Sequence, residues 1–83
     1  MAKNLNEVLA WVAEVFETPV EKIRPETTRD EISAWDSLGI LTLMARMDVD
    51  FQVLPTEEEI QQMKSVADIL AVLRRHDKLG ENT

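Results

Sequence analysis

The sequence predicts an all-α fold: a small four-helix bundle with a short third helix and a long loop between helices one and two. Three observations predict it. Apolar residues recur at three- and four-residue spacing in separate stretches, those stretches open on residues that cap helices, and no run alternates with the period of two that a half-buried strand requires.

With 83 residues, 45% of them hydrophobic, the chain can build one small core and not two, so residues 1–83 read as one domain without a linker. There is no cysteine, which excludes disulfide staples and thiolate zinc sites and leaves helix packing to hold the fold together. No stretch approaches the ~20 apolar residues needed to span a bilayer, and Met1 to Asn4 open directly onto an amphipathic segment. The expectation is a soluble, cytoplasmic monomer without membrane insertion.

The first helix carries Leu5, Val8, Leu9, Val12, Val15 and Phe16 inward, with Asn4 as its cap and Thr18-Pro19 as its stop. From Pro19 to Trp35 the periodicity dissolves into a charged run anchored by Ile23 and Ile32, a long ordered loop with room for a short helical turn. The strongest helical signal runs from Ser37 to Phe51, and Pro55 closes that region. Thr56-x-x-Glu59 has the form of a capping box opening a short third helix through Met63, and Ser65-x-x-Asp68 opens a fourth with Val66, Ile69, Leu70 and Leu73 inward. Gly80 is a plausible terminator, and Arg74, Arg75 and Lys78 suit the negative pole of that last helix.

At ~100° per residue, Ile40, Leu43, Met44, Met47 and Phe51 form the core stripe of the second helix. Ser37, Leu41, Ala45 and Asp48 share an adjacent arc, with Leu38 and Val49 just beyond, so this helix is apolar over more than a buried stripe requires. Two readings of that surplus are open: cover by the first helix or the loop, or a small landing area for another protein. Gly39 costs about 0.5–1 kcal/mol relative to alanine in a helix. Tolerance at a fraying end is the simpler account, and close approach of a partner or of a group on Ser37 is the functional one. Trp35 is read as structural, folding back to fix the loop.

Asp36-Ser37-Leu38 is the chemical centre of the sequence. Asp36 caps the second helix by accepting from an early N–H, and the unpaired amides and positive dipole end beside Ser37 favour a negatively charged adduct on its hydroxyl. The net charge of -7 and pI near 4.5 argue against binding nucleic acid and for basic protein partners. An enzyme using Ser37 as nucleophile would need a base within reach, and the one histidine, His76, lies late in the last helix with no glycine-rich elbow around the serine. Asp48, Asp50, Gln52 and Glu59 fall at calcium-loop spacing, but Val53 replaces the required glycine and Pro55 intrudes, so no metal site is expected.

At Trp35-Asp36-Ser37-Leu38, followed by Leu41, Leu43, Met47, Phe51, Val53-Leu54-Pro55 and Ser65-Val66-Ala67-Asp68-Ile69, the chain resembles an acyl carrier protein of the phosphopantetheine-binding family. The likeness runs over nearly the whole length. It implies a chain with no catalytic residues, on which a phosphopantetheinyl transferase places the 4'-phosphopantetheine of coenzyme A at Ser37, flanked by Asp36 and Leu38. It implies that the arm's thiol holds an acyl or aminoacyl group as a thioester, loaded by an activating ligase and received by a synthase or transferase. By position, Leu38, Leu41 and Asp48 become the partner-binding residues. Gly39, Thr42, Arg46 and Val49 stand where fatty-acid carriers commonly have acids, which favours a dedicated polyketide, lipid or other secondary pathway. An aminoacyl or peptidyl carrier of a nonribosomal pathway, and an unmodified helical interaction module, stay open as alternatives.

Overall fold

Each helix forms where an apolar face meets a cap. The protein's structure, a computed structural model, describes residues 4–78, and among them there are four α-helices and no strand. Helix α1 spans Leu5–Val15. The Asn4 side chain accepts from the Glu7 N–H at 2.8 Å while the Glu7 carboxylate accepts from the Asn4 N–H at 3.0 Å, so two orphan donors are satisfied at once. Val8, Trp11, Val12 and Val15 turn inward, as their spacing requires. The helix ends because Glu17 adopts a left-handed φ of 49°, which lets the Thr18 N–H reach the Ala13 carbonyl at 2.9 Å.

The connection to the next helix is ordered by its own hydrogen bonds and includes two short 3₁₀ turns, Val20–Lys22 and Arg29–Glu31. Ile23 and Ile32 are both buried, as expected of lone apolar anchors. Thr27 is the buried polar residue among them: its hydroxyl donates to the Lys22 carbonyl at 3.2 Å and accepts from the Arg24 N–H at 3.0 Å. The same segment offers the carbonyls of Pro25 and Thr27 to the N–H groups of Ala67 (2.8 Å) and Val66 (2.9 Å). Loop and last helix are thereby locked together.

Helix α2 spans Ser37–Phe51 and runs antiparallel to α1. The direction follows from the cross-links: the Trp11 indole N–H donates to Asp50 at 2.7 Å, Arg46 reaches Glu14 at 2.6 Å, and Phe16 lies beside Gly39. Arg46 also holds Asp50 at 2.9 Å, and these two carboxylates raise its pKa further above the usual arginine value. Trp11 meets Phe51 edge-on, with ring centroids 4.9 Å apart. The buried stripe of α2 is Gly39, Leu43, Met47 and Phe51, one residue every four. Ile40 and Met44, expected in that stripe, are only half-buried because the helix is rotated to bring Gly39 against the loop. Gln52, left-handed at φ 59°, ends the helix ahead of Pro55.

Helices α3 (Glu57–Gln62) and α4 (Val66–Arg75) both open on the expected capping boxes, at Thr56/Glu59 and Ser65/Asp68. Val66, Ile69, Leu70 and Leu73 are buried, and Met63 seals the turn between these helices. Asp77, left-handed at φ 59°, terminates α4 and returns the Lys78 N–H to the Leu73 carbonyl at 2.8 Å; Gly80 lies outside the described residues. One continuous apolar cluster joins residues from α1, the loop, α2 and α4, with Ile60 packing on it from α3. The Cα radius of gyration, 11.4 Å, is near the ~11–12 Å of a compact chain of this length. No described helix is long and apolar enough to cross a membrane.

Candidate functional site

The site is the amino end of α2, and the loop before it sets its shape. Trp35 is buried and stacks on Phe16 with centroids 5.1 Å apart and an interplanar angle of 21°, which ties the last loop residues to the end of α1. Arg29 Nε donates to the Trp35 carbonyl at 3.2 Å from the other side. Two residues later the chain enters the helix.

At Asp36 the backbone is still extended, with φ -121° and ψ -165°, and its carboxylate accepts from the Gly39 N–H at 2.9 Å. The Asp36 carbonyl takes the Ile40 N–H at 2.8 Å. Among the described residues, the N–H groups of Ser37 and Leu38 donate to no acceptor, and the Ser37 hydroxyl has no hydrogen-bond partner either. Ser37 is exposed. The contrast with α4 is instructive, since there the corresponding two amides are taken up by Thr27 and Pro25. The start of α2 therefore combines an accessible alcohol, two open amides and the positive end of a fifteen-residue helix. That combination suits a phosphate ester on Ser37.

Gly39 corrects one expectation. It is neither at a fraying end nor kept small for an external group: a β-carbon built there would overlap the Ala34 carbonyl oxygen and stand 3.4 Å from Phe16 Cε1. The loop backbone passes directly over it. Only glycine lets this crossing occur, and the crossing holds Ser37 at the surface.

The surplus apolar face of α2 is uncovered. Leu38, Leu41 and Val49 are 72%, 62% and 75% exposed, with Ala45 open between them. Asp48 is exposed on the same side and makes no ion pair with a described residue, whereas Asp50 is engaged by Trp11 and Arg46 on the α1 side. Arg46 likewise turns toward α1 and Glu14, so it leaves the exposed strip to neutral residues and Asp48.

No family model matches the chain, and neither a curated protein nor a solved structure is a match. Among the described residues, no three His, Cys, Asp or Glu side chains converge to hold a metal ion. Of the spacing that resembles a calcium loop, Asp50 binds Trp11 and Arg46, and Glu59 accepts from the Thr56 N–H at 2.9 Å and faces Arg75 at 3.4 Å. His76 pairs loosely with Glu59 at 3.7 Å, at the far end of α4.

Beside Ser37 an open groove of about 240 Å³ runs between the end of α1 and the first turns of α2. Val15, Phe16, Ala34, Leu38 and Gly39 form its apolar surface, and Glu17, Asp36 and Thr42 its polar edge. Sequence reasoning missed Phe16, Ala34, Arg29 and this groove, because each acts through a contact between segments distant along the chain. The nearest signal was the unexplained glycine.

Proposed function

We propose that this chain is an acyl carrier protein, a four-helix bundle that bears 4'-phosphopantetheine on Ser37 and presents a tethered acyl group to partner enzymes. One observation carries the reading: Ser37 is exposed as the first residue of α2, capped by Asp36, beside two backbone amides that have no partner among the described residues. In the modifying step, the Ser37 oxygen attacks the phosphorus of coenzyme A that bears the pantetheine. The P–O–P bond breaks, adenosine 3',5'-bisphosphate leaves, and the serine proton passes to a base on the transferase.

This chain's part is positional. No described residue bonds the Ser37 hydroxyl and the Asp36 carboxylate holds the cap, which supports a role for Ser37 as substrate and tether. The open amides of Ser37 and Leu38 receive the phosphodiester. The arm's thiol, when present, supplies the thioester that an activating ligase loads and a synthase or transferase receives.

Partners dock on Leu38, Leu41 and Asp48. Each of the exposed aliphatic side chains contributes ~1.5–3 kcal/mol when fully buried against a partner. An apolar strip on which Asp48 is the one acid of α2 without an ion pair among the described residues fits a dedicated pathway, polyketide, lipid or otherwise secondary, better than a carrier that must be recognised by many basic enzymes. An aminoacyl cargo suits the same site equally.

The decisive experiment is intact-mass measurement after incubation with coenzyme A and a broad-specificity phosphopantetheinyl transferase that modifies a control carrier. One phosphopantetheine is added to the wild type and none to Ser37→Ala, while the two proteins melt alike because the exposed hydroxyl makes no hydrogen bond to a described residue. An unmodified wild type would leave the exposed strip as the surface of a helical interaction module.

A further inference from the structure

Resting on the carrier reading, we infer that the groove between α1 and α2 seats the proximal part of the arm, the geminal-dimethyl, hydroxyl and first amide segment, against Val15, Phe16 and Leu38. The groove begins at the residues on either side of the attachment point, Asp36 and Leu38. Ser37 itself is not among the lining residues, so the phosphate spans from the serine to the groove's edge at Asp36 and Leu38.

The lining suits that segment in chemistry, and the groove, about 240 Å³ and open to solvent, is large enough to take a small branched group. The apolar surface of Val15, Phe16, Ala34 and Leu38 meets the two methyl groups. The edge offers acceptors and no cation: the Thr42 hydroxyl donates to the Leu38 carbonyl at 3.1 Å and keeps its lone pairs open, and the Glu17 and Asp36 carboxylates lie beside it. A segment that carries one hydroxyl and one amide N–H as donors fits that edge, whereas a plain hydrocarbon chain would leave it unmet.

Gly39 lines the groove where the Ala34 carbonyl passes over it, so the loop crossing forms one wall of the space. Tethering then relaxes the demand on affinity. Short flexible linkers give effective concentrations on the order of mM, so a seat with only millimolar affinity is about half occupied.

The test uses full-length protein, apo and modified, with the added mass confirmed before each measurement. Nuclear Overhauser contacts are expected between the arm's geminal methyls and Leu38, Val15 and the Phe16 ring, together with shift changes at the Glu17, Gly39 and Thr42 amides. Thr42→Trp, at an exposed position, fills the groove; it should accept the arm with unchanged mass gain yet lose those contacts. Added mass with no contacts in the wild type, or contacts that persist in Thr42→Trp, overturns the seat and leaves the carrier reading standing. No added mass overturns both.

Discussion

Replacing Gly39 with alanine sets two effects of opposite sign against each other, and the structure decides between them. In an exposed helix the change stabilises by ~1 kcal/mol, because glycine loses more backbone freedom on folding and packs nothing. Here the new methyl group would overlap the Ala34 carbonyl oxygen and approach Phe16. Backbone cannot rotate away as a flexible side chain can, so either the loop lifts or α2 shifts. Overpacking of this kind costs ~1–3 kcal/mol, and the propensity gain offsets only part of it. We expect Gly39→Ala to be destabilised by ~1–2 kcal/mol, which for a domain of this size lowers the melting temperature by roughly 4–15 °C. Thermal unfolding followed by circular dichroism reads this directly. Because the shifted residues are Ala34 to Gly39, the rate of phosphopantetheine transfer to Ser37 should fall as well. A variant that melts at or above the wild-type temperature would refute the argument, since it would show that the crossing of loop over helix imposes no constraint on residue 39.

Asp36→Ala removes the acceptor of the Gly39 N–H and should cost ~1 kcal/mol; an unchanged urea midpoint would count against the cap. Leu41→Glu places a charge on the exposed strip, so helical content and melting temperature should stay unchanged while loading by the partner ligase slows severalfold; loading at the wild-type rate would remove Leu41 from the docking face. The Glu59 carboxyl is held below its ordinary value of 4.5 by the Thr56 N–H, with Arg75 and His76 contributing. A folded pKa below the unfolded one adds stability that is fully present above that ordinary value and is lost as pH falls through the lowered one. Glu59→Gln keeps an acceptor for the Thr56 N–H and should flatten the fall in urea midpoint on going from neutral pH to below 4.5. Some slope remains, because the Glu31 carboxyl is lowered in the same way by Thr28. A variant with the full wild-type slope would show that Glu59 is not part of the acid response.

Local signals determined a good deal of this protein. The helical boundaries at Ser37 and Phe51, the caps at Asn4, Asp36, Thr56 and Ser65, and the inward faces of α1 and α4 all follow from spacing and from side chains that bond amides three residues away. Such features depend on neighbours along the chain, so one sequence contains all that specifies them. Asp36 as a cap and Ser37 as the first helical residue were legible for the same reason. The rotation of α2 was not: Ile40 and Met44 are as apolar as Leu43 and Met47, and only the loop backbone passing over Gly39 selects which of them are buried. The exposure of Leu38, Leu41 and Val49 was likewise undecided until α1 packed on the opposite side through Trp11, Glu14, Arg46 and Asp50. Arg46 looked like a break in an acidic surface and proved to be a cross-link to another helix. Tertiary structure decided these points because burial, and the groove beside Ser37, are properties of surfaces brought together from residues 15–17, 34–36 and 38–42, and no periodicity within any one of those segments records what the others will cover.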